Sequence, residues 1–471
     1  MNPLTCIDFY KADHRRQYPE GTQVVYSNFT PRSDKLAVKS SFYDGKVVFF
    51  GLQYFIKKYL IDDWNKEFFS KPKDEVVKRY KRRMDNSLGK DSIPIDHIEN
   101  LHDLGYLPLS IRALNEGEAV NIGVPLFTVN NTKIEFFWLT NYIETVMSCM
   151  LWKPITSATT ARQYRMMLDE YARQTGDESF VDFQAHDFSM RGMSGIEDAA
   201  VSGAAHLLSF KGTDTVPAID FLEDWYNADS DKELIGCSVP ATEHSVMCMG
   251  TKEDEIGTFK RLITEIYPSG IVSIVSDTWD LWKVLEEYAP ALRNEIESRN
   301  GKVVFRPDSG DPCEIISKSL DILWDKFGGT INKKGYKVLN PKVGLIYGDS
   351  ITLERCEHIL HMMLIRGYAS TNVVFGIGSY TYQYVTRDTF GFAMKATYGC
   401  VKGVDRDIFK SPLTDDGTKK SATGRLVVEK ISGEYFLFDK QDCIDCGELK
   451  EVFYNGTLLR DFSLSEIRGV K

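Results

Sequence analysis

The chain has 471 residues, 43% of them hydrophobic and 26% charged, the composition of a soluble globular protein with two or three cores or a barrel plus an appended domain. Its formal net charge of −10 argues against general nucleic-acid or anionic-membrane binding and leaves any phosphate chemistry to local cationic pockets. No apolar run reaches the ~18 residues of a membrane span, the segment Met1 to Asp8 has no basic region followed by an apolar one, and nine cysteines are scattered without a framework. A cytoplasmic, reduced protein is expected, with no membrane partner.

In chain order, Asp8 to Thr22 mixes aromatics with charges and stops at Pro19-Glu20-Gly21. Val24 to Thr30 reads as a strand leading to Pro31-Arg32, and Lys46 to Phe50 as another. Residues 52 to 90 show helical periodicity, and residues 106 to 130 alternate short strands with Gly or Pro turns. The run Phe136 to Trp152 reads as an apolar helix buried between domains. The first part, residues 1–153, is therefore expected to be a strand-rich α/β unit.

After Pro154 the rhythm becomes strand, polar loop, helix at the ~30-residue spacing of a βα unit. The apolar runs lead to His186-Asp187-Phe188-Ser189-Met190-Arg191-Gly192, to Phe210-Lys211-Gly212-Thr213-Asp214, and to Ser238-Val239-Pro240-Ala241-Thr242-Glu243-His244-Ser245. They continue with Ser273 to Asp277, Arg306-Pro307-Asp308-Ser309-Gly310, Gly348-Asp349-Ser350 and Gly376-Ile377-Gly378-Ser379. Seven such units, with short fully apolar strands, predict a parallel sheet covered by helices, most simply a closed α/β barrel over residues 154–385. Beyond it, residues 386–471 return to short strands, with Asn455-Gly456 a type I′ hairpin signal. The two ends are expected to form one strand-rich domain beside the barrel. Cys443 and Cys446 read as ordinary thiols in a surface hairpin rather than structural zinc ligands, and His358 and His361 share a helix face without carboxylate ligands around them.

The strand-end loops sort by chemistry. His244 can act as acid, base or nucleophile near neutrality, and Glu243 can orient it through its neighbours. Asp277, Asp308 and Asp349 suit Mg²⁺ or ribose hydroxyls; Gly348 and the Gly378-Ser379 turn offer backbone N–H groups to a phosphate. Arg191, Arg306, Lys395 and Lys410 supply cations. Together they suggest a phosphorylated sugar with a highly anionic leaving group.

These loops, with Thr386-Arg387-Asp388, Tyr10-Lys11, Gln17-Tyr18-Pro19, Phe50 to Tyr54 and Ser463 to Arg468, closely resemble the nicotinamide phosphoribosyltransferases over nearly the whole chain. The resemblance implies a type II phosphoribosyltransferase: a homodimer with an irregular α/β barrel, a strand-rich second domain, and active sites at the dimer interface. It implies that nicotinamide displaces pyrophosphate from phosphoribosyl pyrophosphate with Mg²⁺, giving nicotinamide mononucleotide for NAD synthesis, and that ATP, as co-substrate, phosphorylates His244. By the same resemblance, Phe188 and a partner's Tyr10 would sandwich the pyridine ring, and Asp214 would accept the carboxamide N–H with Ser273 and Arg306 nearby. Asp308 and Gly348 would hold the ribose, and Arg191, Gly378 and Ser379 its 5′-phosphate. Arg32, Arg387, Lys395 and Lys410 would neutralise pyrophosphate or ATP phosphates, and Asp277 would serve His244 and Mg²⁺.

Ser189-Met190 departs from the family's Gly-Tyr, and Ser379 stands where the family has glycine. If that turn needs φ > 0, serine costs of order 1 kcal/mol. A nicotinate-using relative would need a cation rather than a carboxylate facing the ring substituent. A catalytically silent binding protein on the same scaffold would not need Glu243-His244, Asp308 and the phosphate turns intact, and a barrel isomerase or aldolase would need a strand-end Schiff-base Lys or base Glu that is not found.

Overall fold

Thr22–Thr30 is a nine-residue strand buried along most of its length, as its β-branched and aromatic residues favour. In the computed structural model, which describes residues 1–409, 422–443 and 446–469, it lies in the middle of a seven-stranded antiparallel sheet. The order is Val404–Asp407, Ala393–Val401, Thr22–Thr30, Phe127–Asn131, Leu109–Ala113, Lys450–Tyr454, Thr457–Leu458. Asn28 thus faces Lys395, and the two ends of the chain build one strand-rich domain, as their shared texture suggests. The last hairpin turns through Asn455 at φ 48° and Gly456 at φ 82°, the pair of positive φ angles that a type I′ turn requires.

Six further strands are parallel, in the order Gly212–Thr213, Ala185–Asp187, Val373–Ile377, Val343–Tyr347, Asn300–Arg306, Ser269–Val275. Val343–Tyr347 is buried at every position, as expected of a parallel strand covered on both faces. The seventh unit, around Ser238, makes only single bridges, Gly212 to Cys237 on one side and Ala241 to Ser273 on the other. It therefore spans the two edge strands of the curled sheet without becoming a strand itself; Pro240 has no N–H to donate and interrupts any ladder there. Phe180 to Phe183, the apolar run that leads to His186, is in the 3₁₀ helix Glu178–Phe183 rather than in a strand. The Asp177 carboxylate accepts from both Ser179 N and Ser179 Oγ at its start, 2.9 and 2.8 Å, a local bond that competes with extension.

The expected helix 136–152 is really three pieces, Ile134–Phe136, Leu139–Tyr142 and a 32-residue helix Glu144–Thr175 that runs straight through Pro154. Tertiary packing holds it. Met147, Leu151, Ile155 and Ala158 belong to the core of the strand-rich domain, whereas Tyr164, Met167, Leu168 and Tyr171 belong to that of the barrel. The Pro154 ring lies against Gly51, which has φ +105° and where a Cβ would come within 2.7 Å of Pro154 Cγ. The helices Ile196–His206 and Val216–Tyr226, which follow barrel strands in sequence, also bury residues in the first core.

Glu116 joins these parts. At 3% exposure, it accepts from Gly51 N at 2.7 Å, Gln53 N at 2.6 Å and Tyr226 Oη at 2.7 Å, capping the helix Leu52–Phe55 from a distant loop. Glu116→Ala leaves those buried donors unpaired and is expected to cost about 3 kcal/mol, read as a lower urea midpoint with unchanged m-value; a loss below about 1 kcal/mol would show that these donors find other partners.

Cys443 and Cys446, expected as free thiols, are joined in a disulfide, their Cα atoms 5.8 Å apart. Among the described residues no helix is long and apolar enough to cross a membrane.

Candidate active site

The C-terminal ends of the parallel strands gather the loops singled out by sequence. His186 and Asp214 come together because His186 pairs with Gly212 and Asp187 with Thr213 in parallel register. His186 Nε2 is 2.9 Å from Asp214 Oδ1, and Ser238 Oγ donates to the same oxygen. Burial pushes the Asp214 carboxyl up, but the bonds from His186 and Ser238 and the charge of Arg306 outweigh it, so the group lies below the usual carboxylate range. An ionised carboxylate only accepts, so Nε2 carries the proton of this pair. Neither His186 nor Ser238 carries a role in the sequence reading; their signal is the spacing that puts both motifs at adjacent strand ends.

Phe188 lies beside this pair, its ring centroid 4.6 Å from that of His186, with its N–H donating to Ile377 O at 2.8 Å. The ring rests on Gly348 and Gly376; a Cβ at Gly376 would sit 2.6 Å from Phe188 Cδ2. Across the pocket, Arg306 Nη2 donates to Thr242 O at 2.8 Å, and Thr242 N donates to Ser273 O at 3.0 Å. Ser273 Oγ and Arg306 Nε are buried without a protein partner, so both remain able to bond a ligand.

His244 opens the helix His244–Met249. Its Nδ1 is 3.1 Å from Thr278 Oγ1, and its Nε2 is 4.0 Å from Asp277 Oδ1. That oxygen is buried and has no hydrogen bond, whereas Asp277 Oδ2 accepts from Asp308 N at 2.8 Å and Ser309 Oγ at 2.6 Å. Glu243 does not reach the imidazole: its carboxylate accepts from Ser245 Oγ. The Asp308 carboxyl is raised by burial first and then by the charges of Asp277 and Asp349, against Arg306 and His244. Asp277 and Asp349 thus act on the buried Asp308 as like charges, with Arg306 and His244 opposing them.

The Gly378-Ser379 turn is unstrained. Gly378 has φ −103°, Ser379 begins the helical turn Ser379–Tyr382, and neither has a positive φ, so the cost attached to Ser379 does not arise. Gly192 makes room for it, since a Cβ there would collide with the Ser379 side chain. Arg191 is exposed on the turn Met190–Gly192, next to this contact.

A second group lies elsewhere in the chain. Tyr10, 60% exposed, lines a cavity of about 240 Å³ with Asp8, Glu144, Thr145, Trp152 and Arg387. Arg32 Nε donates to Gly391 O at 3.0 Å, and Lys395 is an exposed residue of the central sheet opposite Asn28. Lys410 lies outside the described residues. Among the described residues no three His, Cys, Asp or Glu side chains form a preformed metal cluster.

The nicotinate phosphoribosyltransferase (NAPRTase) family matches residues 183–457, and the nicotinamide phosphoribosyltransferase N-terminal domain matches residues 2–111. A nicotinamide phosphoribosyltransferase of Acinetobacter baylyi is 58% identical, over 99% of this chain and 96% of its own. One from Xanthomonas campestris pv. campestris is 35% identical, over 99% of this chain and 97% of its own. In fold, the chain is similar to the nicotinate-nucleotide pyrophosphorylase of Pyrococcus furiosus, with TM-score 0.61 at 14% identity over 99% of this chain and 94% of the other. The human nicotinic acid phosphoribosyltransferase gives TM-score 0.52 at 15% identity, over 98% and 92%. From residue 2 to residue 457 its two matched segments and its full-length relatives agree, and the chain belongs to the nicotinate phosphoribosyltransferase family, with the nicotinamide phosphoribosyltransferases as its near relatives.

Proposed function

We propose that this enzyme transfers the phosphoribosyl group of phosphoribosyl pyrophosphate to nicotinamide, in the salvage route to NAD, and that ATP stimulates it through phosphorylation of His244. The observation that carries the base choice is the ionised Asp214, clamped on one oxygen by His186 and Ser238 with no hydrogen bond to Oδ2 among the described residues, beside the Phe188 ring. That oxygen accepts the carboxamide N–H while the ring stacks on Phe188. The pyridine nitrogen forms a bond to C1 of the ribose as the C1–O bond to pyrophosphate breaks and its electron pair leaves with pyrophosphate. Asp308 and Gly348 receive the ribose, and Arg191, Gly378 and Ser379 its 5′-phosphate. Arg32, Arg387, Lys395 and Lys410 neutralise pyrophosphate or ATP, and Tyr10 of the partner subunit closes the base pocket in a homodimer.

Asp277 and Asp308 fit Mg²⁺ in the way one or two carboxylates plus substrate oxygens usually hold it. The orphaned Asp277 Oδ1 and the raised Asp308 carboxyl both favour an added cation. When bound, the ion supplies charge neutralisation to the pyrophosphate leaving group.

The γ-phosphoryl group of ATP goes to the His244 imidazole with release of ADP, adding negative charge beside the pyrophosphate and carboxylate cluster. His244→Ala is expected to keep slow formation of nicotinamide mononucleotide, detected by mass spectrometry, and to lose both ATP hydrolysis and ATP stimulation. Full stimulation in the variant would exclude the phosphohistidine, and absence of the mononucleotide with wild-type enzyme would exclude the reaction.

A further inference from the structure

The 32-residue helix Glu144–Thr175 carries an amine into a place where lysines are rarely found. Lys153, 8% exposed, sits one residue before Pro154, in the part of the helix that packs into the core of the strand-rich domain. Its Nζ donates to Gln383 Oε1 at 3.2 Å and lies 3.6 Å from Asp198 Oδ1. Gln383 in turn donates from Nε2 to Ser194 Oγ at 2.5 Å, and Ser194 N donates to Asp198 Oδ2 at 2.9 Å. The result is a closed ring of four residues, one of its links made by the Ser194 backbone N–H.

This ring stands directly behind the phosphate turn. Gln383 N donates to Ser379 O at 2.8 Å, and Gly192 is pressed against the Ser379 side chain. Ser194 follows two residues after Gly192 and three after Arg191. Asp198 is useful here, because it holds the Ser194 backbone and stands in the first turn of Ile196–His206, where a carboxylate suits the helix dipole. It also brings a negative charge into a poorly screened corner, with side-chain exposures of 21% for Asp198 and 10% for Lys153. A carboxylate there opposes a dianionic phosphate unless a cation is paired with it. Burial pushes the Lys153 ammonium below its ordinary value while Asp198 acts in the opposite direction.

We propose that Lys153 is a positioning residue of the 5′-phosphate subsite: it neutralises Asp198 and, through Gln383 and Ser194, locks the Arg191 loop against the Gly378-Ser379 turn. The inference rests on the phosphoribosyl reading above and adds to it a charge-compensating pair.

The test is steady-state kinetics of the full chain with phosphoribosyl pyrophosphate varied at saturating nicotinamide. Lys153→Met is expected to raise KM for phosphoribosyl pyrophosphate roughly tenfold, the effect of one uncompensated charge in a half-buried site, with kcat and the nicotinamide KM changed less than about threefold. Lys153→Arg keeps the charge and should stay near wild type. Asp198→Asn should not raise that KM, and Lys153→Met combined with Asp198→Asn should return it toward wild type. The proposal is overturned if Lys153→Met leaves the KM unchanged, if Asp198→Asn alone raises it, or if the double variant stays as impaired as Lys153→Met. Should Lys153→Met fail to fold, the Asp198→Asn and double variants still decide. Arg191→Ala in the same assay separates the two ideas: an unchanged KM there removes the phosphate reading itself, whereas a raised KM with an unaffected Lys153→Met removes only the compensating pair.

Discussion

Replacing Asp308 with alanine is expected to lower kcat/KM for phosphoribosyl transfer by about 10³-fold. Hydrogen bonds to a charged group are worth about 1.5–3 kcal/mol each, and two ribose hydroxyls on one carboxylate give about 4 kcal/mol, or three powers of ten at 1.36 kcal/mol each. The substitution should spare the fold. Asp277 Oδ2 is held by the Asp308 backbone N–H and by Ser309 Oγ, and alanine keeps that N–H, so the carboxylate beside His244 stays in place. The same variant tests whether two subunits share a site. In its own chain Tyr10 lines a cavity with Arg387 and Glu144 and with no residue of the Asp214 pocket, which is the arrangement expected if it serves a neighbour. Exchanging subunits between Asp308→Ala and Tyr10→Ala protomers should recover up to about a quarter of wild-type activity, since half the dimers are then hybrids with one intact site of two. Full exchange with no recovery would place Tyr10 in the site of its own chain or in none.

What was legible beforehand followed local rules. Short apolar strands ending in polar glycine loops announced the parallel sheet, and Asn455-Gly456 announced its hairpin, because each signal is complete within a few residues. What was hidden depended on distant partners. Pro154 argued for a helix end, and nothing near it in sequence reveals that Gly51, about a hundred residues earlier, receives its ring. The Ser238 segment reads like its six neighbours, yet Pro240 keeps it to two isolated bridges. In the site, His244, Asp277 and Asp308 could be grouped by chemistry alone, but the hydrogen-bond partner of His244 is Thr278, with Asp277 farther off at 4.0 Å, and Glu243 next door turns to Ser245. Ser379 looked costly by itself; the absent Cβ of Gly192 and a negative φ make it ordinary.

With Asp214 proposed to set the choice between an amide and an acid, a discrimination of at least about 10²-fold in kcat/KM favouring nicotinamide over nicotinate is expected. The carboxylate is ionised at neutral pH, its pKa lying below the usual range despite burial, so it can accept from a carboxamide NH₂ but meets a second carboxylate as a like charge in a partly dry pocket. The bond is worth about 1.5–3 kcal/mol and the repulsion adds to it. Arg306, whose charge acts on Asp214, is a cation that could reverse this preference. One arm of its guanidinium, however, is tied to the Thr242 carbonyl. Were Asp214 only a cap for the helix Val216–Tyr226, it would contribute about 1 kcal/mol to stability and nothing to base choice. The N-cap of that helix, Thr215, makes no side-chain cap bond, and the Asp214 carboxylate is bonded instead to His186 and Ser238. Asp214→Asn keeps the shape and removes the charge. It should lower kcat/KM for nicotinamide by 10- to 100-fold and raise that for nicotinate, narrowing the gap from both sides. Equal use of the two bases by the wild-type enzyme, or an Asn variant that loses stability while keeping its preference, would remove Asp214 from the base pocket and with it the assignment of nicotinamide as the substrate.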